Sequence, residues 1–175
     1  NRSLTEQFAG RAVEKKYLLL AARAPQQAAF TAKSRIIRSG ERYVSGAHGE
    51  EAETQFEVQN LKSKVHYPGG ESFVNCCELI AKPLTGRTHQ IRVHAAANGF
   101  PILGDALYGG SPFPRVCLHA AELAFQHPAT GDALRFRVPM DFAADARQAL
   151  RDAVMEPAAT NAFRLIHGAS DGWPG

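Results

Sequence analysis

The chain has 175 residues, of which 45% are hydrophobic, a composition that suits one globular domain with a single core. It has no apolar run near the roughly 18 residues of a membrane-spanning helix and no secretory signal among its first residues, so we expect no membrane partner. The net charge of +3 is only mildly basic and does not by itself predict a polyanionic ligand.

The three cysteines, Cys76, Cys77 and Cys117, indicate a reducing compartment. Their number is odd and two of them are neighbours in sequence, a pattern that favours free thiols in a cytoplasmic protein. Zinc sites use C-x-x-C or C-x-x-H spacing, which the adjacent pair does not offer. We therefore expect a cytoplasmic protein that binds no metal.

Basic residues gather in separate stretches, whereas acidic residues concentrate at 50–53. The basic stretches lie within residues 11–16, 33–42 and 87–92. Such separation of charge suits a face that binds nucleic acid. A solvated surface of mixed charge is the alternative that composition leaves open.

In chain order, the first part of the chain predicts one helix and then strands. The S-L-T-E sequence at 3–6 is a capping box with Ser3 as the N-cap, so it predicts a short helix over 3–12. Apolar runs and period-two alternation predict the strands. The strands cover 16–22, 53–60 and 62–66, the last two as a possible pair, and 25–50 is a long loop or two short strands.

The second part predicts a strand at 73–84 and a helix over 89–98, with Thr88 as its N-cap and Gly99 just past its end. Two more strands follow at 116–125 and 134–138. Beyond them, Asp141 can cap an alanine-rich helix to about residue 154. An order with more strands than helices predicts an α+β fold, with a mixed, largely antiparallel sheet and flanking helices.

The start of the second helix carries the densest group of functional residue types. Arg87, Thr88 and His89 lie at its N-terminus, where free backbone N–H groups and the helix dipole favour an anion. Arg92 follows His89 by three residues and shares its face of the helix. Gln90 lies on another face of the helix. Without further information, a solvated helix cap explains the same residues.

The literal sequence of this segment distinguishes the two explanations. L-T-G-R-T-H-Q-I-R-V-H at 84–94, followed by P-I-L-G-D-A-L-Y-G at 101–109, closely resembles the signature of the RluA-type RNA pseudouridine synthases. S-L-T-E-Q-F-A-G-R-A-V-E-K-K-Y-L-L-L at 3–20 resembles the helix and strand that follow the catalytic loop of that family. The resemblance covers about residues 3–142, and it predicts a partial pseudouridine synthase domain over 1–155.

The resemblance implies isomerisation of uridine to pseudouridine in rRNA or tRNA, without cofactor or metal. An aspartate acts on the ribose, the uracil detaches and rotates, and its carbon 5 rejoins the sugar. Two residues match catalytic positions: Tyr17, which would stack on the flipped base, and Arg92, which would pair with the aspartate. The residues implied to contact RNA are Lys15, Lys16, Arg87, His89 and Gln90.

The family's aspartate lies in H-R-L-D-x-x-T-S-G, and no such motif occurs in these 175 residues. We therefore expect this chain to be inactive by itself, with Arg92 solvated or bound to a solvent anion. Asp105 is expected to be a structural strut and not a nucleophile. A non-catalytic RNA-binding module with the same fold is the alternative function.

The end of the chain suggests a second domain. N-A-F-R-L-I-H-G-A-S-D-G-W-P-G at 161–175 resembles the opening segment of RNA methyltransferases that act on rRNA. Residues 156–175 are accordingly interpreted as a linker or tail that can lead into a fused methyltransferase domain. An ordinary tail is the other interpretation.

Overall fold

In the computed structural model, the protein is described at residues 2–67, 72–140 and 142. Its helices are α1 (Arg2–Ala9) and α2 (Gln90–Ala97), and a 3-10 turn covers Ala106–Tyr108. The strands are β1 (Glu14–Ala21), β2 (Ala29–Ser39), β3 (Arg42–Gly46), β4 (Glu50–His66), β5 (Phe73–Pro83), β6 (Leu118–Gln126) and β7 (Ala133–Arg137).

The strands form one seven-stranded sheet in the order β3-β2-β4-β5-β1-β6-β7. Every neighbouring pair of strands is antiparallel. The prediction of an α+β fold with a largely antiparallel sheet is thus confirmed. No helix among the described residues is long and apolar enough to cross a membrane. The predicted helix after Asp141 lies outside the described residues.

Two local predictions concern the strands. Residues 25–50 contain the hairpin of β2 and β3, so of the two alternatives the strands are right and the long loop is wrong. The segments 53–60 and 62–66 are not a pair, because both belong to the single strand β4. Two register shifts against β5, at Val58/Asn60 and Asn60/Ser63, let that strand continue past the irregular region.

The main core lies between the sheet and α2, and its contacts hold the loop after α2 in place. Ile91 and Ala95 of α2 are buried there, as their spacing of four residues predicts. The loop is fastened to β1 through backbone bonds, with the Leu103 N–H donating to the Leu20 carbonyl at 2.8 Å. Both α2 and this loop are therefore fixed relative to β1, which decides where their polar side chains point.

The three cysteines are free, buried thiols. Burial raises the pKa of Cys76 to about 11 and that of Cys117 to about 12. Both thiols therefore stay protonated at neutral pH and act as small apolar residues of the core.

Candidate functional site

A cavity of about 270 Å³ lies between β1, the end of β5 and the N-terminus of α2, and we call it the site cavity. Six of the seven residues predicted for the site line it, although they come from positions more than 70 residues apart in the chain. Those six are Lys15, Tyr17, Arg87, His89, Gln90 and Arg92. The structure thus brings together the residues that the sequence separates.

Tyr17 forms part of the wall that β1 contributes. It is half-buried, packs against the main core, and pairs with Ala81 of β5 on one side and Ala120 of β6 on the other. The register with β6 shifts between Lys16 and Tyr17. Such a bulge bends the strand and changes the direction of a side chain, and bulges are frequent beside active sites.

The chain enters α2 through a tight turn, and His89 is the residue of that turn with an unusual backbone conformation. His89 is the N-cap residue in place of the predicted Thr88, and its φ of 56° lies in the left-handed region. The Gln90 side chain fixes the turn, because its Oε1 accepts from the Thr85 hydroxyl at 2.6 Å and from the Arg87 N–H at 3.0 Å. The turn aims both Arg87 and His89 toward the site cavity.

Gln90 itself is almost fully buried, and its amide is satisfied within the protein. Besides those two bonds, its Nε2 donates to the Glu53 carbonyl and to Thr54 Oγ1, both at 2.9 Å. The two bonds from Nε2 connect the helix start to β4, so the Gln90 side chain holds α2 against the sheet. That Gln90 contacts RNA stays a prediction, and in this structure its donors and its acceptor are occupied by protein groups.

His94 lies one turn further along α2 and completes a buried polar network. Its Nδ1 is 2.9 Å from Thr54 Oγ1, and its Nε2 is 3.0 Å from Ser34 Oγ. Burial lowers the pKa of His94, so the imidazole is neutral at pH 7. The network connects α2 to two strands, β2 and β4, and keeps the helix start rigid.

Arg92 is not solvated, which contradicts the expectation from the sequence. Its Nε and Nη2 donate to the two carboxylate oxygens of Asp105, each at 2.7 Å. Asp105 is fully buried, whereas the Arg92 side chain keeps 20% of its exposure. The loop after α2 folds back against the helix and places the carboxylate there, so the expected strut role of Asp105 explains why Arg92 needs no solvent anion.

The ion pair determines the charge of Arg92. The hydrogen bonds to Asp105, which outweigh the opposing effect of burial, raise the pKa of Arg92, so the guanidinium stays charged. The Cζ atom of Arg92 also lies 4.8 Å from the centre of the Tyr108 ring. Among the described residues no hydrogen bond to Arg92 Nη1 is formed, so one edge of the guanidinium remains available beside the cavity.

Tyr108 also holds His89. The Tyr43 backbone N–H donates to the Tyr108 hydroxyl at 3.0 Å, and that hydroxyl lies 2.9 Å from His89 Nδ1. The hydroxyl accepts one bond and can donate its proton to Nδ1, an arrangement that suits the tautomer with the proton on Nε2. Burial, and next the charge of Arg92, lower the pKa of His89, so the ring is neutral near pH 7.

Sequence reasoning missed these supporting residues to different degrees. Tyr108 stands in the motif at 101–109, but no role in holding His89 could be read from that motif. Tyr43 gives no signal in the sequence, because its contribution is a backbone N–H brought close by the β2–β3 hairpin.

The two other cations of the cavity differ in how they are paired. Arg87 Nη1 lies 2.9 Å from Glu50 Oε1, and Arg87 Nε donates to the Glu51 carbonyl at 3.1 Å. Within the described part of the chain, Lys15 Nζ has a single long bond of 3.4 Å, to the Thr85 carbonyl, and burial lowers its pKa. Lys15 is thus the less compensated charge and the stronger candidate for an anionic ligand.

Two further observations concern the predicted basic residues. Lys16 does not line the site cavity but a second cavity next to it. In the stretch at 33–42, Lys33 and Arg35 form ion pairs with Glu53 and Glu51 of the adjacent strand. Two of the four basic residues of that stretch are therefore paired, whereas no described carboxylate pairs with Lys15 or Lys16. No group of three or more potential metal ligands occurs among the described residues.

Comparisons with known proteins give the site a context. A family model for RNA pseudouridylate synthase matches residues 1–97. Ribosomal large subunit pseudouridine synthase C of Yersinia pestis is 36% identical over 154 residues, covering 80% of this chain and 45% of that protein. The protein of the same name from Salmonella typhi is 37% identical over 156 residues, with 80% and 46% covered. The chain thus spans about half the length of these curated relatives.

Solved structures agree in fold. Human RNA pseudouridylate synthase domain containing 1 matches with a TM-score of 0.64 and 29% identity, over 81% of this chain and 60% of that one. Human RNA pseudouridylate synthase domain containing 4 matches with a TM-score of 0.58 and 22% identity, over 79% and 62%, which supports the fold alone.

Proposed function

Because this chain belongs to the RNA pseudouridylate synthase family, and within it to the RluA type, we propose that its site cavity receives the uridine that the complete protein converts to pseudouridine. The observation that carries the proposal is the meeting of Tyr17 and Arg92 on one cavity. The names of the curated relatives favour large-subunit rRNA as the substrate over tRNA.

In this proposal Tyr17 binds the target base by stacking. Uridine within a duplex must leave its stack, which costs a few kcal/mol, and an aromatic side chain in the receiving cavity returns part of that energy. Stacking of a base on an aromatic ring is worth about 1–3 kcal/mol. The half-buried position of Tyr17 supports this role, because the core fixes the ring while one part of it stays on the cavity.

Arg92 would orient the catalytic aspartate. Asp105 occupies Nε and Nη2, and the remaining Nη1 edge lies beside the cavity, so Arg92 can bind a second carboxylate without releasing the first. We propose that this second carboxylate comes from outside these 175 residues. Because Asp105 fixes the guanidinium, Arg92 would keep the second carboxylate ionised and in one orientation. A carboxylate that acts on the ribose needs both.

Lys15 and Arg87 would bind phosphate oxygens of the target nucleotide or its neighbours, and His89 would donate a hydrogen bond from Nε2. All three line the cavity, and Lys15 lacks a carboxylate partner among the described residues. Lysine and arginine supply most contacts of proteins to the nucleic-acid backbone. No cofactor or metal enters this proposal.

The domain organisation remains a proposal as well. We propose that residues 1–155 are part of the pseudouridine synthase domain and that 156–175 form a linker, which can lead into a methyltransferase domain in a fused protein. Residues 143–175 lie outside the described residues. The sequence on either side of these 175 residues in the complete protein tests both statements directly.

The test of the function is a comparison of the complete protein with this chain alone. Both are incubated with large-subunit rRNA carrying tritium at carbon 5 of uracil, since rejoining at carbon 5 releases that hydrogen. We expect tritium release by the complete protein and none by the 175-residue chain. If the complete protein binds the RNA without releasing tritium, the non-catalytic RNA-binding module is the better account.

A further inference from the structure

A second cavity, of about 500 Å³, adjoins the site cavity and shares Lys15 and Pro83 with it. We call it the basic groove. Its volume is in the range of ligand clefts, about 300–1,000 Å³. It forms where β1 and β5 separate: their pairing stops at Tyr17 and Ala81, and the residues beyond, toward the start of β1 and the end of β5, leave a gap between the strands.

One wall of the basic groove consists of ion pairs that neutralise each other. Arg135 and Arg137 of β7 both contact Glu122 of β6, and Arg135 also lies 3.1 Å from Glu14. The Glu122 side chain is only 14% exposed. Two arginines and two carboxylates thus form a wall without net charge, held in place by its own contacts.

The groove also carries cations outside this wall, on β1, on β5 and just before β1. Arg11 and Lys16 form no ion pair with any residue that the structure describes, and Lys15 has only the Thr85 carbonyl. Lys82 lies 4.0 Å from Glu57, at the limit of an ion pair, and is half exposed. Four cations therefore line the groove beyond those of the wall, and one of them, Lys15, also lines the site cavity.

We propose that the basic groove binds the sugar–phosphate backbone of the RNA next to the uridine in the site cavity. The inference rests on the proposed function, and it adds Arg11 and Lys82, with the wall of Arg135 and Arg137, to the surface that contacts RNA. The shared Lys15 supports continuity, because a chain that enters the site cavity with its base passes this ammonium group. Cations beside a wall held by its own ion pairs suit phosphates, which carry charge but no sequence information.

The test uses the complete protein and the salt dependence of RNA binding. The double variant Arg11→Gln with Lys16→Gln removes two cations of the groove, and Lys62→Gln removes an exposed lysine at the other end of the sheet as the matched control. Each phosphate contact to a single strand contributes about 0.7 to the slope of log Kobs against log salt. We expect the slope to become shallower by about 1.4 in the double variant and to stay unchanged in the control.

A slope in the double variant equal to that of the unmodified protein would overturn the proposal. Arg11 has a φ of 59°, so a change there could disturb the turn after α1. The second double variant, Lys16→Gln with Lys82→Gln, leaves that turn intact and is expected to lose a similar part of the slope. Circular dichroism melts show whether each variant is folded.

The occupant is identified with modified RNA. Methylphosphonate groups beside the target uridine remove the phosphate charges, so the unmodified protein should lose the same part of the slope with this RNA. With this modified RNA, the slope of the double variant should be no shallower than that of the unmodified protein. If the effects of the variant and of the modified RNA on the slope add fully, those phosphates do not contact the groove and the proposal is overturned. Tritium release by the unmodified protein is measured in parallel. No release means that the proposed function is wrong, whereas release together with an unchanged slope in the double variant means that only the groove proposal is wrong.

Discussion

The substitution Asp105→Asn tests the most consequential contact in the structure. Asp105 is fully buried and accepts both hydrogen bonds from Arg92, each 2.7 Å long. Loss of one partner of a buried ion pair costs about 3–5 kcal/mol, because the other charge stays behind unpaired. Arg92 keeps 20% of its exposure and an asparagine keeps one acceptor oxygen, so we expect the lower end of this range, about 3 kcal/mol.

Urea unfolding followed by circular dichroism measures this loss in the free energy of unfolding. For a domain of this size about 3 kcal/mol corresponds to a decrease in Tm of about 6–12 °C. The matched control is Asp132→Asn, an exposed turn residue whose carboxylate accepts only from the Thr130 hydroxyl at 2.6 Å, and it should change stability by less than about 0.5 kcal/mol. If Asp105→Asn is as stable as its control, Asp105 does not hold Arg92 and the description of the site is wrong.

Three further predictions concern the parts that support the site. Gly104→Ala should destabilise the protein by clearly more than Gly109→Ala, and unfolding midpoints measure the difference. Both residues have a φ of 79°, but of the two only at Gly104 would the new Cβ overlap a backbone atom, the carbonyl oxygen of Arg115. Thr54→Val should cost about 1–3 kcal/mol by leaving buried partners unsatisfied, while Thr54→Ser keeps most of the stability. Burial lowers the pKa of His94, so near pH 6.5 the unfolded chain binds a proton there more readily than the folded protein does. The free energy of unfolding should therefore fall as the pH drops below about 6.5, and it should fall less steeply in His94→Gln.

The sequence predicts the elements of the sheet well where the local pattern is strong. The alternation at 53–60 and the apolar run at 16–22 each correspond to a strand, and the motif at 84–94 indicates the family that the comparisons show. The extent of β4 could not be predicted, because the continuation past Asn60 depends on pairing with β5 and not on local preference.

The polar contacts of the site were harder to predict, because they depend on tertiary folding. Thr88 fits the usual pattern of an N-cap, but His89 takes that position in a left-handed conformation held by the side chain of Gln90. Arg92 was expected to lack a partner, and its carboxylate comes from a loop 13 residues further on. Periodicity places a side chain on a face of a helix; it does not show which later loop returns to that face.

The most direct test of the whole account is the rate of pseudouridine formation in the complete protein carrying Tyr17→Leu or Arg92→Lys. We predict that each change lowers tritium release from labelled RNA by about 10²–10³-fold, in line with the loss of one preorganised group in an active site, whereas RNA binding weakens by no more than the roughly 1–3 kcal/mol of one base stack. Rates like those of the unmodified protein for both variants would contradict the assignment of these residues and of the cavity between them.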